Sequence, residues 1–232
     1  MKRYCLYLFI LIGISCSAEL KAQKNGTVYK GNDPAVRYTG RTLVSPDGSV
    51  AFDWVGTYLE TRFTGGKLSV KVSETGTSYY NVFVDGKLHK VVKVCGTDTL
   101  IHLVSGIDKR IHSLKIQKRS EGEFGKTTVH QFVLSGSGRL AKEPAVRTRH
   151  IEFIGNSLTC GYGTDGKHRD EPFLVETENC NLTFASMVAR YYDADYTLIA
   201  HSGRGAARNY GDSVRVSKVT MKDRMLNTFD ED

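Results

Sequence analysis

Proline is scarce, with 4 in 232 residues, which excludes a proline-stiffened linker; the 23 glycines follow no fixed period, which excludes a collagen-like array. Cysteine and histidine are just as uninformative for metals. The 5 cysteines and 7 histidines are dispersed and show no zinc or haem spacing, so neither a metal nor any other cofactor is expected. Lys and Arg (32) exceed Asp and Glu (25), a net charge of +7, but the basic residues are scattered. Without a compact basic run interleaved with aromatics, nucleic acid is not expected as a partner. No apolar stretch reaches the roughly 20 residues of a bilayer-spanning helix. What remains, 40% hydrophobic and 25% charged, is the composition of a globular chain with a real core.

The first residues read as a targeting segment. Lys2 and Arg3 precede an apolar run over 4–16, and Leu20-Lys21-Ala22 offers a small-residue exit before Gln23. A cleaved secretory signal over 1–22 is expected, and with it a secreted or periplasmic protein. A lipoprotein anchored through Cys16 ranks second, because Gly13 stands where such a box carries Leu. Cleavage removes Cys5 and Cys16 and leaves Cys95, Cys160 and Cys180. In an oxidising compartment Cys160 and Cys180 are placed to close one loop, whereas Cys95, in an apolar strand, reads as a small buried hydrophobe.

Two grammars divide the rest. Over 24–144 the period is two, as in Lys67-Leu68-Ser69-Val70-Lys71-Val72 and His112-Ser113-Leu114-Lys115-Ile116. Asp85-Gly86 between two such runs is a hairpin signal, and glycines at 65–66, 106 and 136 are expected to divide the region into many short strands of a β-sandwich or jelly roll. From 145 to 232 the pattern is strand, helix, strand, helix, the opening of an α/β domain with a parallel sheet. Ile151-Glu152-Phe153-Ile154 and Tyr196-Thr197-Leu198-Ile199-Ala200 are the expected buried strands. Asn181 is the expected cap of a helix through Phe184, Met187 and Val188, and a last helix is expected near 221–229.

The chemistry-bearing residues lie at the ends of those two strands. The first strand runs into Gly155-Asn156-Ser157, where open α/β sheets bind ligands. Taken alone, the tripeptide reads more simply as a capped turn. The second strand runs into Ser202-Gly203-Arg204-Gly205, and parallel pairing sets the two turns side by side. A serine hydroxyl is then placed as an acyl-transfer nucleophile, with the Gly203 amide as a second donor to the oxyanion.

These two blocks, with Arg208-Asn209-Tyr210-Gly211-Asp212 beyond and the β-rich region before, resemble the SGNH (GDSL-type) hydrolases and among them carbohydrate esterase family 2, the acetyl xylan esterase-like enzymes. The resemblance implies a jelly-roll domain followed by a flavodoxin-like α/β hydrolase domain. It also implies removal of O-acetyl groups from plant cell-wall polysaccharides through an acyl-serine intermediate. Ser157 would be the nucleophile, with its own amide and that of Gly203 in the oxyanion hole. Arg204, Arg208 and Asn209 are candidate contacts to substrate or to the loop itself, and a structural ion pair is an equally ready reading of the two arginines. Asn156 stands where many members carry Asp.

The family's later blocks, Gly-x-Asn-Asp with the third oxyanion donor and Asp-x-x-His with the base, do not occur in the sequence, so the catalytic His is absent and a C-terminally truncated, impaired enzyme is expected. Of the other histidines, His201 lies at the right sheet end but reads more simply as solvent-facing or locally hydrogen-bonded, and His168 sits in a polar loop. Asp212 follows too closely on the glycine block to be the late acid. Trp54 and Tyr79-Tyr80 read as core rather than as a sugar-stacking platform. The alternatives to an esterase are a non-catalytic glycan-binding β-sandwich module and a purely structural cell-surface sandwich.

Overall fold

The computed structural model describes residues 26–142 and 145–231, so the leader at 1–22, with Cys5 and Cys16, lies outside the described residues. Among the described residues ten strands form two sheets. β1 (Gly26–Lys30), β2 (Val36–Thr39), β3 (Leu43–Val44), β4 (Val50–Phe52), β5 (Tyr58–Val84), β6 (Lys87–Lys118), β7 (Thr127–Ser135) and β8 (Leu140–Ala141) make one sheet. β9 (His150–Gly155) and β10 (Asp195–Ala200) make the second.

The expected turn at Asp85-Gly86 closes a hairpin of β5 with β6, with φ of 50° and 76° at its two central residues, as a type I′ turn requires. The divisions expected at 65–66 and 106 do not occur. β5 runs through Gly65 and Gly66, and β6 through Gly106, with register shifts between Thr64 and Leu68. Glycine here permits a bulge and a sharp bend rather than a chain reversal. Gly66 has φ of 95°, and a Cβ there would lie 2.5 Å from the Ser135 carbonyl oxygen. Bending lets the hairpin fold over itself: Leu114–Lys118 pairs with Tyr58–Thr61 on one side and with Tyr80–Val84 on the other. The resulting curled sheet encloses Phe52, Phe63, Leu68, Leu114, Phe132 and Leu134, all at most 2% exposed. Each such side chain contributes about 1.5–3 kcal/mol by leaving water.

In the second sheet β9 and β10 are parallel, His150 opposite Asp195 through Gly155 opposite Ala200, and the crossover between them holds α2 (Phe184–Tyr191). Several local expectations fail here. Thr183, not Asn181, occupies the N-cap of α2, because Asn181 is taken into a short 3-10 turn at Cys180–Leu182. Phe184, Met187 and Val188 face outward; Ala185, Ser186 and Ala189 face the sheet, whose Tyr196 and Leu198 leave room only for small residues. β9 is half exposed rather than buried, since β10 is its only partner among the described residues, while all six residues of β10 are buried. The last helix is a single turn, α3 (Met221–Arg224). Cys160 and Cys180 are buried free thiols rather than a disulfide; both sit in the apolar cluster under β10, and burial pushes the Cys180 thiol up to about 12. Cys95 is exposed, because its side chain falls on the outer face of the β6 register.

The loop 53–56 between β4 and β5 joins the two sheets. Trp54 is fully buried against Ile199 and Met221, and its Nε1 donates to the Asn227 carbonyl at 3.3 Å. It is therefore core, as is Tyr80, while Tyr79 is half buried with its hydroxyl on Glu176. Beside it Gly56 (φ 75°) approaches Leu198 so closely that a Cβ would lie 2.6 Å from Cδ1. Asp195, at the start of β10, accepts from Arg37 Nη1 at 2.6 Å, Tyr58 Oη at 2.7 Å and Arg147 Nη1 at 2.7 Å. Burial pushes its carboxyl up, but the bonds from Arg37, Tyr58 and Arg147 outweigh this and hold it well below the ordinary carboxylate range.

A depressed carboxyl stabilises the fold above its unfolded value near pH 4 and loses that contribution as the pH falls toward the native value. Asp195→Asn is expected to cost about 1.5–3 kcal/mol at pH 7, because Arg37, which keeps Glu60, and the half-buried Arg147, which keeps Asp193, lose the charged partner they share. The gap to wild type should close as the pH drops below about 4. Thermal melts followed by the emission of Trp54, the single tryptophan, measure both effects.

Candidate functional site

Two glycine-flanked turns meet at the C-terminal ends of β9 and β10. Parallel pairing continues past the strands, His201 N donating to the Gly155 carbonyl at 3.4 Å. Gly155 is required for close approach rather than for a left-handed backbone: a Cβ there would lie 2.0 Å from Thr159 Oγ1. Asn156 then caps α1 (Ser157–Cys160), its Oδ1 accepting from Leu158 N at 3.2 Å. This role needs only a side-chain oxygen, so Asn serves it as Asp would. Ser157 opens the one-turn helix, which ends on Gly161 at φ 85°.

On the other strand the chain leaves Ala200 through His201 and Ser202 into Gly203, whose φ is 74°. The Gly203 carbonyl accepts from Tyr210 N at 2.8 Å, closing the glycine block into a loop. Ser157, Gly203, Arg204, Arg208, Tyr162 and Tyr210 line one open cleft of about 580 Å³, with Glu123 at its edge. Among the described residues, neither the Ser157 amide nor the Gly203 amide donates to any acceptor, and the Ser157 hydroxyl engages no base. Two amides and a hydroxyl left unengaged in one cleft can attack a carbonyl and receive the charge that develops on its oxygen.

The remaining expected residues divide. Arg204 and Arg208 line the cleft, and neither forms an ion pair among the described residues. Asn209 does not line the cleft; its Oδ1 accepts from Gly205 N at 3.2 Å and its Nδ2 donates to the Val219 carbonyl at 2.8 Å, so it braces the loop. Asp212 accepts from the Ser217 hydroxyl in the same loop. His168 is exposed on the loop after α1. His201 is 4% exposed and off the cleft, its Nδ1 donating to Asp230 Oδ2 at 2.8 Å. Burial lowers its proton affinity, but the Asp230 carboxylate more than compensates and raises it above the ordinary histidine value. Asp230 in turn pairs with Arg224 at 3.2 Å.

Rim aromatics absent from the sequence reading also appear. Tyr162 stacks on Phe173 with ring centroids 3.7 Å apart, and Phe124 lies 5.7 Å from Phe173. Tyr210 is 93% exposed at the same cleft.

Sequence reasoning also missed the polar residues beneath the cleft. Lys118 ends β6 and Arg119, Ser120 and Glu121 follow it; all four are at most 2% exposed, although in sequence they look like a solvated turn. Arg119 donates to the Glu178 carbonyl at 2.6 Å and the Glu176 carbonyl at 2.9 Å, holding the loop that follows α1. Two clusters gather groups of metal-ligating type, Glu121 with Cys160 and Glu178, and His201 with Asp230 and Glu231. Among these groups Glu121 accepts from Ser202, Glu178 Oε2 from the Glu121 amide, Asp230 from His201, and Glu231 pairs with Arg224, while Glu178 Oε1 has no hydrogen-bond partner among the described residues.

Residues 38–144 match the family model for the carbohydrate esterase 2 N-terminal domain. The chain is 34% identical over 180 residues to the cellulase/esterase CelE of Acetivibrio thermocellus, an alignment covering 78% of this chain and 22% of that protein. It is 31% identical over 199 residues to an acetylxylan esterase / glucomannan deacetylase of Cellvibrio japonicus, covering 83% of this chain and 54% of the relative. The chain thus spans about half or less of the length of these curated relatives. The solved structure of a family two carbohydrate esterase from Clostridium thermocellum in complex with cellohexaose superposes with a TM-score of 0.78 at 33% identity, over 83% of this chain and 58% of that one. A family two esterase structure from Cellvibrio japonicus also gives 0.78, at 24% identity, over 88% of this chain and 60% of that one, and shows a shared fold. With this match across the curled sheet and this likeness across both sheets, the chain carries a carbohydrate esterase 2 N-terminal domain and is similar to the family two carbohydrate esterases beyond it.

Proposed function

We propose that this protein is an exported serine esterase that removes O-acetyl groups from plant cell-wall polysaccharides of the xylan or glucomannan type. The curled sheet, whose strands run from Gly26 to Ala141, is read as the jelly-roll domain expected over 24–144, and 145–232 as part of an SGNH hydrolase domain. The observation that carries the reading is the unengaged Ser157 hydroxyl, in one cleft with the unengaged amides of Ser157 and Gly203. The substrate class follows the acetylxylan esterase / glucomannan deacetylase relatives.

In the first step Ser157 Oγ bonds to the acetyl carbon, and the carbonyl π pair moves onto oxygen, where the two amides receive it. Collapse expels the sugar oxygen, which takes a proton and leaves an acetyl-serine; water then attacks the same carbon and acetate departs. Attack requires a proton acceptor for the hydroxyl, and His201 is committed to Asp230 off the cleft. The proposed nucleophile and its two proposed oxyanion donors thus have no base bonded to them among the described residues, which are expected to lack a general-base contribution of about 10²–10⁴-fold.

p-Nitrophenyl acetate hydrolysis measures this. The chain is expected to exceed the Ser157→Ala variant by a small margin, and added imidazole, supplying the missing base, should widen the difference. Equal rates in both proteins with and without imidazole would refute the esterase reading and leave the glycan-binding one.

Binding without turnover is favoured by a separate observation, the Tyr210 ring standing almost fully exposed beside the two unpaired arginines. A flat ring there offers apolar area at low entropic cost to a sugar face. Tyr210→Ala is expected to weaken retention on acetylated glucomannan in affinity electrophoresis by about tenfold, the loss typical of an aromatic anchor. Ser157→Ala should leave retention unchanged.

A further inference from the structure

Glu121, three residues past the end of β6 and the N-cap of a 3-10 turn over Gly122–Phe124, reaches across the junction into the glycine block. Its Oε2 accepts from Ser202 N at 2.5 Å, and its Oε1 accepts from the Ser202 hydroxyl. Ser202 directly precedes Gly203, and the Gly203 carbonyl is held by Tyr210 N at 2.8 Å. The backbone that carries the Gly203 amide is therefore pinned on both sides, by a carboxylate from the turn after β6 and by its own loop. Glu121 is also adjacent to the nucleophile's helix: oxygens of Glu121 and Glu178 and the Cys160 sulfur lie within 4.8 Å of one another, and Cys160 closes the turn that Ser157 opens.

We propose that Glu121 is a positioning residue that sets the Gly203 amide against Ser157, so that a side chain from the turn after β6 aligns the oxyanion donor. The inference rests on the esterase reading above and deepens it.

The surroundings of Glu121 suit a fixed strut. It is fully buried, and its backbone N donates to Glu178 Oε2 at 2.9 Å while its carbonyl accepts from Lys118 Nζ at 3.2 Å. Lys118 is itself tied to the Ser78 hydroxyl at 2.7 Å. Burial and the neighbouring Glu121 carboxylate push the Glu178 carboxyl well up from its ordinary value, which favours the neutral form beside Glu121. Each Glu121 oxygen accepts from Ser202.

Replacing the strut should act on the transition state and not on ground-state binding. Glu121→Gln keeps the shape but presents an NH₂ to one of the two Ser202 donors. With imidazole present, the Ser157-dependent kcat for p-nitrophenyl acetate is expected to fall about 10–100-fold at nearly constant KM, the scale on which a displaced donor costs rate. Ser202→Ala, which removes one bond of the pair, should fall less. The double variant should be no slower than Glu121→Gln, because both act through one contact. Amide hydrogen exchange is read in parallel, and the Ser202 and Tyr210 amides are expected to exchange at least about tenfold faster in Glu121→Gln while Trp54 emission stays unchanged. If wild type and Ser157→Ala hydrolyse equally, the esterase reading fails and exchange alone decides the positioning role. Unchanged exchange at both amides, or a kcat loss in Glu121→Gln that adds to that of Ser202→Ala, overturns the proposal.

Discussion

The parallel pairing of β9 with β10, extended past both strands by the bond from His201 N to the Gly155 carbonyl, is the constraint on which the cleft depends. One register aligns Gly155 with Ala200, so that Ser157 and Gly203 emerge two and three residues beyond the same rung. A slip by one residue would send every side chain of β10 to the opposite face, and all six are buried. The register is held from outside the pair. Asp195 begins β10 locked by Arg37, Tyr58 and Arg147, and Leu198 sits where Gly56 leaves no space for a side chain.

The curled sheet therefore serves as more than an attached module. Three of the contacts that carry it into the second sheet are the Asp195 cluster, the Trp54 plug, and the polar run 118–121. The first two depend on burial and on charge pairing in a dry junction, where an unpaired partner is costly. The third differs because its carboxylate ends on the loop that carries a proposed oxyanion donor. Shared burial makes the two sheets one cooperative unit, and it explains why the sole tryptophan lies at the junction rather than on a binding face.

Legibility followed local chemistry. Alternation in β5 to β7, positive φ at Asp85-Gly86, and the two strands over 150–155 and 195–200 are set by neighbours in sequence, and these were readable. Glycines at 65–66 and 106 were misread as chain reversals because a glycine permits a bend without stating its angle; the partner strand decides that. The outward face of α2 was misread because periodicity marks an apolar stripe but not the depth of the surface it meets. Cys160 and Cys180 share an apolar cluster, yet sequence separation carries no information about sulfur geometry.

By itself the sequence determined the period-two region, the strand-and-turn frames around Ser157 and Gly203, and the family those frames resemble, since each rests on residues within a few positions of one another. Only the tertiary structure decided that Asn209 braces a loop, that His201 is committed to Asp230, and that Glu121 holds Ser202 from 81 residues away. Such roles arise when distant polar groups are driven out of water together and must satisfy one another, and no local pattern records which partner each will find.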